Sequence, residues 1–455
     1  MSYSPRRAEV RFGCGLSPAV VPAGDAAAFL ARLKQPDEAA RRFPVETFDE
    51  FRVRIAEQRE MMAEAKATGT RNKAAKDARR ARRDARLDEQ RWMAQALLRR
   101  ATTRDGFRER LTAFWADHFT VVGKGGLLRF GELPYVEQSI RPHVAGRFGD
   151  MLKAVATAPM MLRYLDQERS TGPNSAFAAR HPGAGVNENL AREMLELHTL
   201  GVDGGYSQTD VSELALLLAG LSVDAEEGFT FRARVTEPGA QRVLGVSYGS
   251  DGPGSLEEVH AALDDLARHP ATAAHLARKL AVHFVGDEPD AGLVAAMASA
   301  YRDSDGALMP VYAAMLAHPA AWSGAGNVKA PVDYMGSALR ALSVGALPVR
   351  QADKLAVLLS QPLELMGQPW MYPEGPDGWP ERDEDWITPQ GLAGRLQWAL
   401  NVPQVLVEVL PDPRGFLSVA LPDPAPEALR FAAGAAETRA EGIALILASP
   451  AFQRM

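Results

Sequence analysis

Residues 187–201 read NENLAREMLELHTLG, and few folds accommodate such a stretch. Leu190, Met194 and Leu197 recur at helical spacing and lie within ~60° of one another at ~100° per residue. The segment is therefore an amphipathic helix. Its other positions are crowded with acids, amides, one Arg and one His, more than a helix that only covers a core requires. Glu188, Arg192 and Glu196 fall on the polar face at i, i+4, i+8, with Glu before Arg, the favourable order for an ion-pair ladder. Glu193 and His198 border the apolar stripe on opposite flanks, about 140° apart at ~100° per residue. Both are candidates for burial with shifted pKa values. One helix cannot bring both to one metal, and neither H-E-x-x-H nor Glu-x-x-His occurs here. A divalent metal would need ligands from other helices.

The rest of the chain fits the same architecture. Ala is abundant and aromatics make up only 7% of 455 residues, which favours helix over sheet. A formal charge of −6 disfavours nucleic acid as a partner of the whole surface. The single cysteine, Cys14, excludes a disulfide framework. No run of apolar residues is long enough for a transmembrane segment. Arg6 and Arg7 are not followed by the apolar stretch of an export signal, so a cytoplasmic location is expected.

An opening helix is expected over 23–43, ended by Pro44. Long polar helices follow over 46–100. They include a basic arm at about 50–100, in which Arg71, Lys73, Lys76, Arg79, Arg80, Arg82, Arg83 and Arg86 face only Asp77 and Asp84. Residues 107–122 form an aromatic-rich helix and 133–166 two more. A Gly/Pro/Ser/Asn-rich loop over 170–185 leads into the helix of Glu193. Ser207 with Asp210 has the spacing of a capping box. Residues 229–248 alternate around Pro238 and Gly239 and read as one β-hairpin. The fold class is thus all-α with one small hairpin. It forms two helical halves, 1–225 and 226–455, or one continuous domain. In the second half, residues 368–388 (QPWMYPEGPDGWPERDEDWIT) lack helical periodicity and carry three Trp. Long structured loops of this kind often serve as lids or binding loops.

FWADHF, PMMLRYLD, NENLAREMLELHTLGVDGGYSQTDV, ARKLAVHFVGDEP, VKAPVDYMGSALRAL and GQPWMYPEGPDGW occur in this order. With them the chain resembles the bacterial family known as domain of unknown function 1800, from about Phe12 to Phe452. The resemblance implies a mainly helical fold with no established activity. Many relatives look exported, and their genes often neighbour a family that resembles sulfatases and alkaline phosphatases. A protein partner of that kind is implied. This chain departs from the pattern by lacking an export signal. It also reads FWADHF where relatives often read FWHNHF. Ala116 replaces one histidine and only His118 remains, so a two-histidine metal site does not carry over.

The candidate catalytic residues are His118, Glu193, Glu196 and His198. The glutamates would act as general base or ligand and the histidines as ligands or acid–base groups. The candidate binding residues are Asn187, Arg192, Lys279 and His283; Arg192 and Lys279 would hold anionic charge. Lys279 and His283 share one helix face at i, i+4. Each has a plainer reading: His118 as a core-edge histidine bonded to a backbone carbonyl, Lys279 as a snorkelling lysine, Glu188–Arg192–Glu196 as a structural ladder. Phosphate-loop and C-x-x-C motifs are absent. The favoured reading is an accessory or scaffold protein that acts through a protein partner, because no catalytic constellation closes on sequence geometry. The alternative is an enzyme or metal/anion-binding protein with hydrolase-like acid–base chemistry at a buried Glu/His/Arg site. Convergence of His118, Glu193, His198 and Lys279 on one cavity would favour the enzyme. Their scattering, with Glu193 paired to an arginine, would favour the scaffold.

Overall fold

Helix starts are written into the capping residues. The Thr47, Ser207, Ser255 and Thr438 side chains each accept from the N3 backbone while an acidic N3 side chain reaches back. The Ser207–Asp210 box expected from sequence is one of them. The computed structural model describes residues 2–69, 71–224 and 228–455, and the side chains of Arg71, Lys73 and Ala74 lie outside it. Among the described residues the chain is mainly helical, with two small antiparallel sheets.

The opening helix expected over 23–43 is broken into Ala26–Ala31, a 3-10 turn Arg32–Lys34, and Glu38–Arg42. Pro36 cannot continue the first piece, and Asp37 caps the third by accepting from the Ala40 N–H. Helices Phe48–Thr68 and Arg71–Thr102 pack against each other. The basic stretch occupies only the first half of the second helix. Lys76, Arg79, Arg80, Arg83 and Arg86 are exposed there, while Ala78 and Ala85 are buried on the other side. From Trp92 onward the composition turns apolar and the same helix enters the body, with Met93, Ala94 and Leu97 fully buried. The arm is therefore shorter than the 50–100 expected. The side chains of its first basic residues, Arg71 and Lys73, lie outside the described ones.

Two apolar clusters make up the core. The first draws on residues from Ala8 to Trp322 and includes Trp115, Phe119 and Met194. The second joins Met93–Ala101 of the long helix to residues 334–452. Helix Arg71–Thr102 thus belongs to both, through Trp92 on one side and Met93 on the other. The boundary considered at 225–226 falls on residues outside the described ones.

The strand region pairs differently from the single hairpin read across Pro238 and Gly239. Leu221–Asp224 pairs with Gly228–Phe231, and Gln241–Val243 pairs with Val246–Tyr248. Leu244 at φ 50 and Gly245 at φ 83 form the two-residue turn of the second pair. Two positive φ values in succession match the twist of antiparallel strands, and that local turn outcompetes the longer connection.

Residues 368–388 form an irregular strap containing only one 3-10 turn, Asp383–Trp386. Its prolines and glycines deny it a helix.

Candidate functional site

Helix Gly106–His118 and helix Pro270–Phe284 meet beneath the strap. Between them lies a cavity of about 190 Å³, lined also by helix Pro331–Ala341 and by Trp370, Trp379 and Trp386 of the strap. The strap is fastened at several points. The Trp379 N–H donates to Asp117 Oδ1 at 2.8 Å. Gly378 sits so close that a Cβ would lie 2.5 Å from that oxygen, and its φ of +84 also favours glycine. Lys279 Nζ is 2.5 Å from Glu381 Oε1. Asp383 accepts from the Val328 N–H at 2.6 Å and pairs with Arg454 at 2.7 Å.

Each cation around the cavity lies beside a carboxylate, with Arg100 and Arg110 sharing one. Arg99 pairs with Glu137 at 2.5 Å, Arg141 with Glu109, and Arg100 with Asp333. Arg110 Nε lies 3.6 Å from Asp333 as well. Burial alone would raise the Asp333 pKa, but Arg110 and Arg100 outweigh it and hold the carboxyl below its usual range. Asp117 differs. Among the described residues it is the one lining Asp or Glu side chain without an ion-pair partner. Burial pushes its pKa up to about 7 against the Trp379 N–H and the Lys279 charge, and Glu381 and Asp377 add to the rise.

The histidines divide into two kinds. The helix Asn189–Glu193 widens into a π turn, Met194–His198, which leaves carbonyls unpaired at its end. His118 Nε2–H donates to the His198 carbonyl at 3.1 Å, and His275 Nε2–H to the Leu197 carbonyl at 3.1 Å. The Thr199 hydroxyl donates to the Met194 carbonyl at 2.6 Å. The His118 contact is the carbonyl bond of its plainer reading. His275 packs beside Gly201, where a Cβ would lie 2.7 Å from its Nδ1. His198 is buried with Nδ1 unpartnered, and burial together with His275 and Lys279 lowers its pKa to about 3. His283 lines the cavity wall. Its Nε2 accepts from Arg110 Nη2 at 3.2 Å, and burial and Arg110 lower its pKa to about 3. Burial and the Lys279 charge likewise lower that of His118.

Of the residues singled out in the sequence, His118, Lys279 and His283 line the cavity. Lys279 neutralises an acidic group there, namely Glu381. Glu193, Glu196, His198, Asn187 and Arg192 are not among its lining residues. The π turn holds an extra residue per turn, so angles assigned at ~100° do not carry past Glu193. Glu193 has no arginine ion pair among the described residues, and burial, Glu196 and Asp377 raise its pKa. The expected ladder stops at its first rung, Glu188–Arg192 at 3.1 Å. Asn187 is structural: Nδ2 donates to the Leu165 and Asp166 carbonyls and Oδ1 accepts from the Asn189 N–H.

Asp117, Arg110, Asp333 and Glu381 were not singled out. Asp117 carried one signal, an acid inside the aromatic segment FWADHF. Among the described residues no group of three His, Cys, Asp or Glu side chains could hold a metal ion. No described helix is long and apolar enough to cross a membrane.

Neither a curated protein nor a solved structure matches the chain. The model of one family, described as a protein of unknown function (DUF1800), matches residues 7–454, and the chain belongs to that family.

Proposed function

We propose that the chain is an enzyme with hydrolase-like acid–base chemistry, and that the cavity beneath the strap takes its small ligand. The observation that carries this reading is Asp117, an unpaired carboxyl among matched ion pairs, poised near pH 7 beside His118 and Lys279. A group with a pKa near the working pH can hold a proton and release it, the requirement for general acid–base work. In hydrolysis of a C–O bond, protonated Asp117 gives its proton to the leaving oxygen as that bond breaks. Water supplies hydroxide to the other fragment, and the second proton of that water restores Asp117. The Lys279 charge stabilises the carboxylate in between.

The test is a series of 4-nitrophenyl esters, glycosides and phosphates assayed across pH. The expected result is turnover of one class that falls as pH rises through about 7 and drops about 100-fold or more in Asp117→Asn. No turnover of any class, or full activity in Asp117→Asn, overturns the reading.

One observation favours the scaffold reading. Leu392, Leu396 and Leu400 recur at i, i+4, i+8 along the exposed side of helix Pro389–Asn401, and Val405 and Val409 beyond it are more exposed still. An apolar row facing solvent is what a docking partner covers. Leu396→Glu would abolish a protein complex made there and leave acid–base chemistry at the cavity untouched.

A further inference from the structure

The polar atoms that the cavity wall leaves open set the chemistry of its occupant. His118 Nε2 faces a carbonyl oxygen, which only accepts, so Nε2 carries the proton and Nδ1 is a free acceptor. His283 Nε2 faces a guanidinium, which only donates, so Nε2 holds the lone pair and Nδ1–H is a free donor. Gln368 Oε1 accepts from the Val332 N–H at 2.8 Å, which leaves its Nε2 as a second donor. Asp117 uses Oδ1 for the Trp379 N–H and keeps Oδ2. The open set thus mixes donors with acceptors, and the neutral imidazoles in it carry no charge.

Each charge nearby has a counter-charge, Arg110 through the Asp333 that it shares with Arg100. Arg99, Arg100, Arg141 and Lys279 each contact a carboxylate of the protein. An ionic ligand would have to break one of those pairs or remain uncompensated in a buried site, and both are costly. A hydroxyl group fits better, because it donates once and accepts twice. The strap adds Trp370 and Trp379 to the lining. An indole face is negative and attracts polarised C–H groups. The volume of about 190 Å³ is below the ~300–1,000 Å³ of sites for drug-sized ligands. It suits one small ring.

We propose that the cavity binds a neutral polyhydroxylated ring of the saccharide class, held by His118, His283, Gln368 and Asp117 and covered by the tryptophans of the strap. The inference rests on the acid–base reading of the same cavity and adds the class of its ligand. A glycoside or sugar ester is then the substrate type, with the proton of Asp117 going to the leaving oxygen as described above.

The experiment is calorimetric titration of the full chain with glucose, galactose and myo-inositol, and in parallel with inorganic phosphate and citrate. The expected result is saturable binding of at least one neutral polyol and none of the two anions. Gln368→Glu keeps the acceptor for the Val332 N–H and removes the donor, so it should weaken polyol binding about tenfold while the melting temperature holds. His283→Gln serves as the second variant, since its amide oxygen can still accept from Arg110. Saturable binding of phosphate or citrate alone, lost in His283→Gln, overturns the ligand class and keeps the cavity as the site. No binding by any probe, together with an Asp117 that titrates as an ordinary carboxylate, overturns both the class and the acid–base reading. Polyol binding that neither variant changes places the ligand elsewhere and overturns the inference.

Discussion

Helix Gly106–His118 and helix Asn189–Glu193 with its π turn both carry acids, and both lead into a buried histidine. They use these groups differently. On the second, Glu188 accepts from Arg192, Gln208 and Ser212, and Asn187 ties the preceding loop to the helix start. Residues close in sequence satisfy it. On the first, Asp117 meets a strap that lies more than 250 positions later in the chain, and that contact leaves one of its oxygens open. The start of the stretch most crowded with charge is therefore engaged by its own neighbours. The quieter segment FWADHF supplies groups to the cavity.

The largest effect that sharpens this contrast is expected at Asp333. Asp333→Ala leaves the buried Arg100 and Arg110 without their carboxylate. It should cost about 3–5 kcal/mol in urea unfolding. A loss under ~1 kcal/mol would mean that the cavity's ion pairs are solvated like surface pairs.

Asp117→Asn should act through pH. The folded pKa of about 7 lies above the unfolded value of ~3.9. The carboxyl therefore favours the folded state below about pH 4 and loses that contribution as pH rises through 7. The variant lacks this loss. Relative to wild type it should gain roughly 2–4 kcal/mol between pH 4 and 8, since each pH unit separating the folded and unfolded pKa values is worth ~1.4 kcal/mol. Glu89 and Glu132, each raised to about 7 by burial, titrate in the same window. The difference between variant and wild type isolates Asp117. A difference that stays flat with pH would remove the distinction between the two helices.

The smallest effect is expected at Arg192→Ala, which breaks a half-exposed i, i+4 pair. It should cost only ~0.3–0.5 kcal/mol. A loss several times larger would make the Asn189–Glu193 helix a buried network and break the comparison from the other side.

Local rules made much of this fold legible. Ser207 and Asp210 announce a helix start through their spacing alone, and prolines and glycines mark the strap. Where reading failed, a competing local or distant interaction decided. Pro36 broke a helix expected to run to Pro44. The turn at Leu244 and Gly245 took the strand that a longer hairpin would have used. The π turn at Met194–His198 shifted the angles past Glu193. For the site, Lys279 and His283 were legible because i, i+4 spacing puts them on one face, and both line the cavity. Asp117 was not, because its significance depends on Gly378 and Trp379 returning to cover it. No pattern within FWADHF encodes that return.

The most direct test of the central claim is an infrared difference titration of the full chain, wild type against Asp117→Asn. The account predicts a protonated-carboxyl band that belongs to Asp117 and disappears with a midpoint near 7. A midpoint near the ordinary ~3.9 of an aspartate would contradict it, because Asp117 would then hold no proton to give at neutral pH.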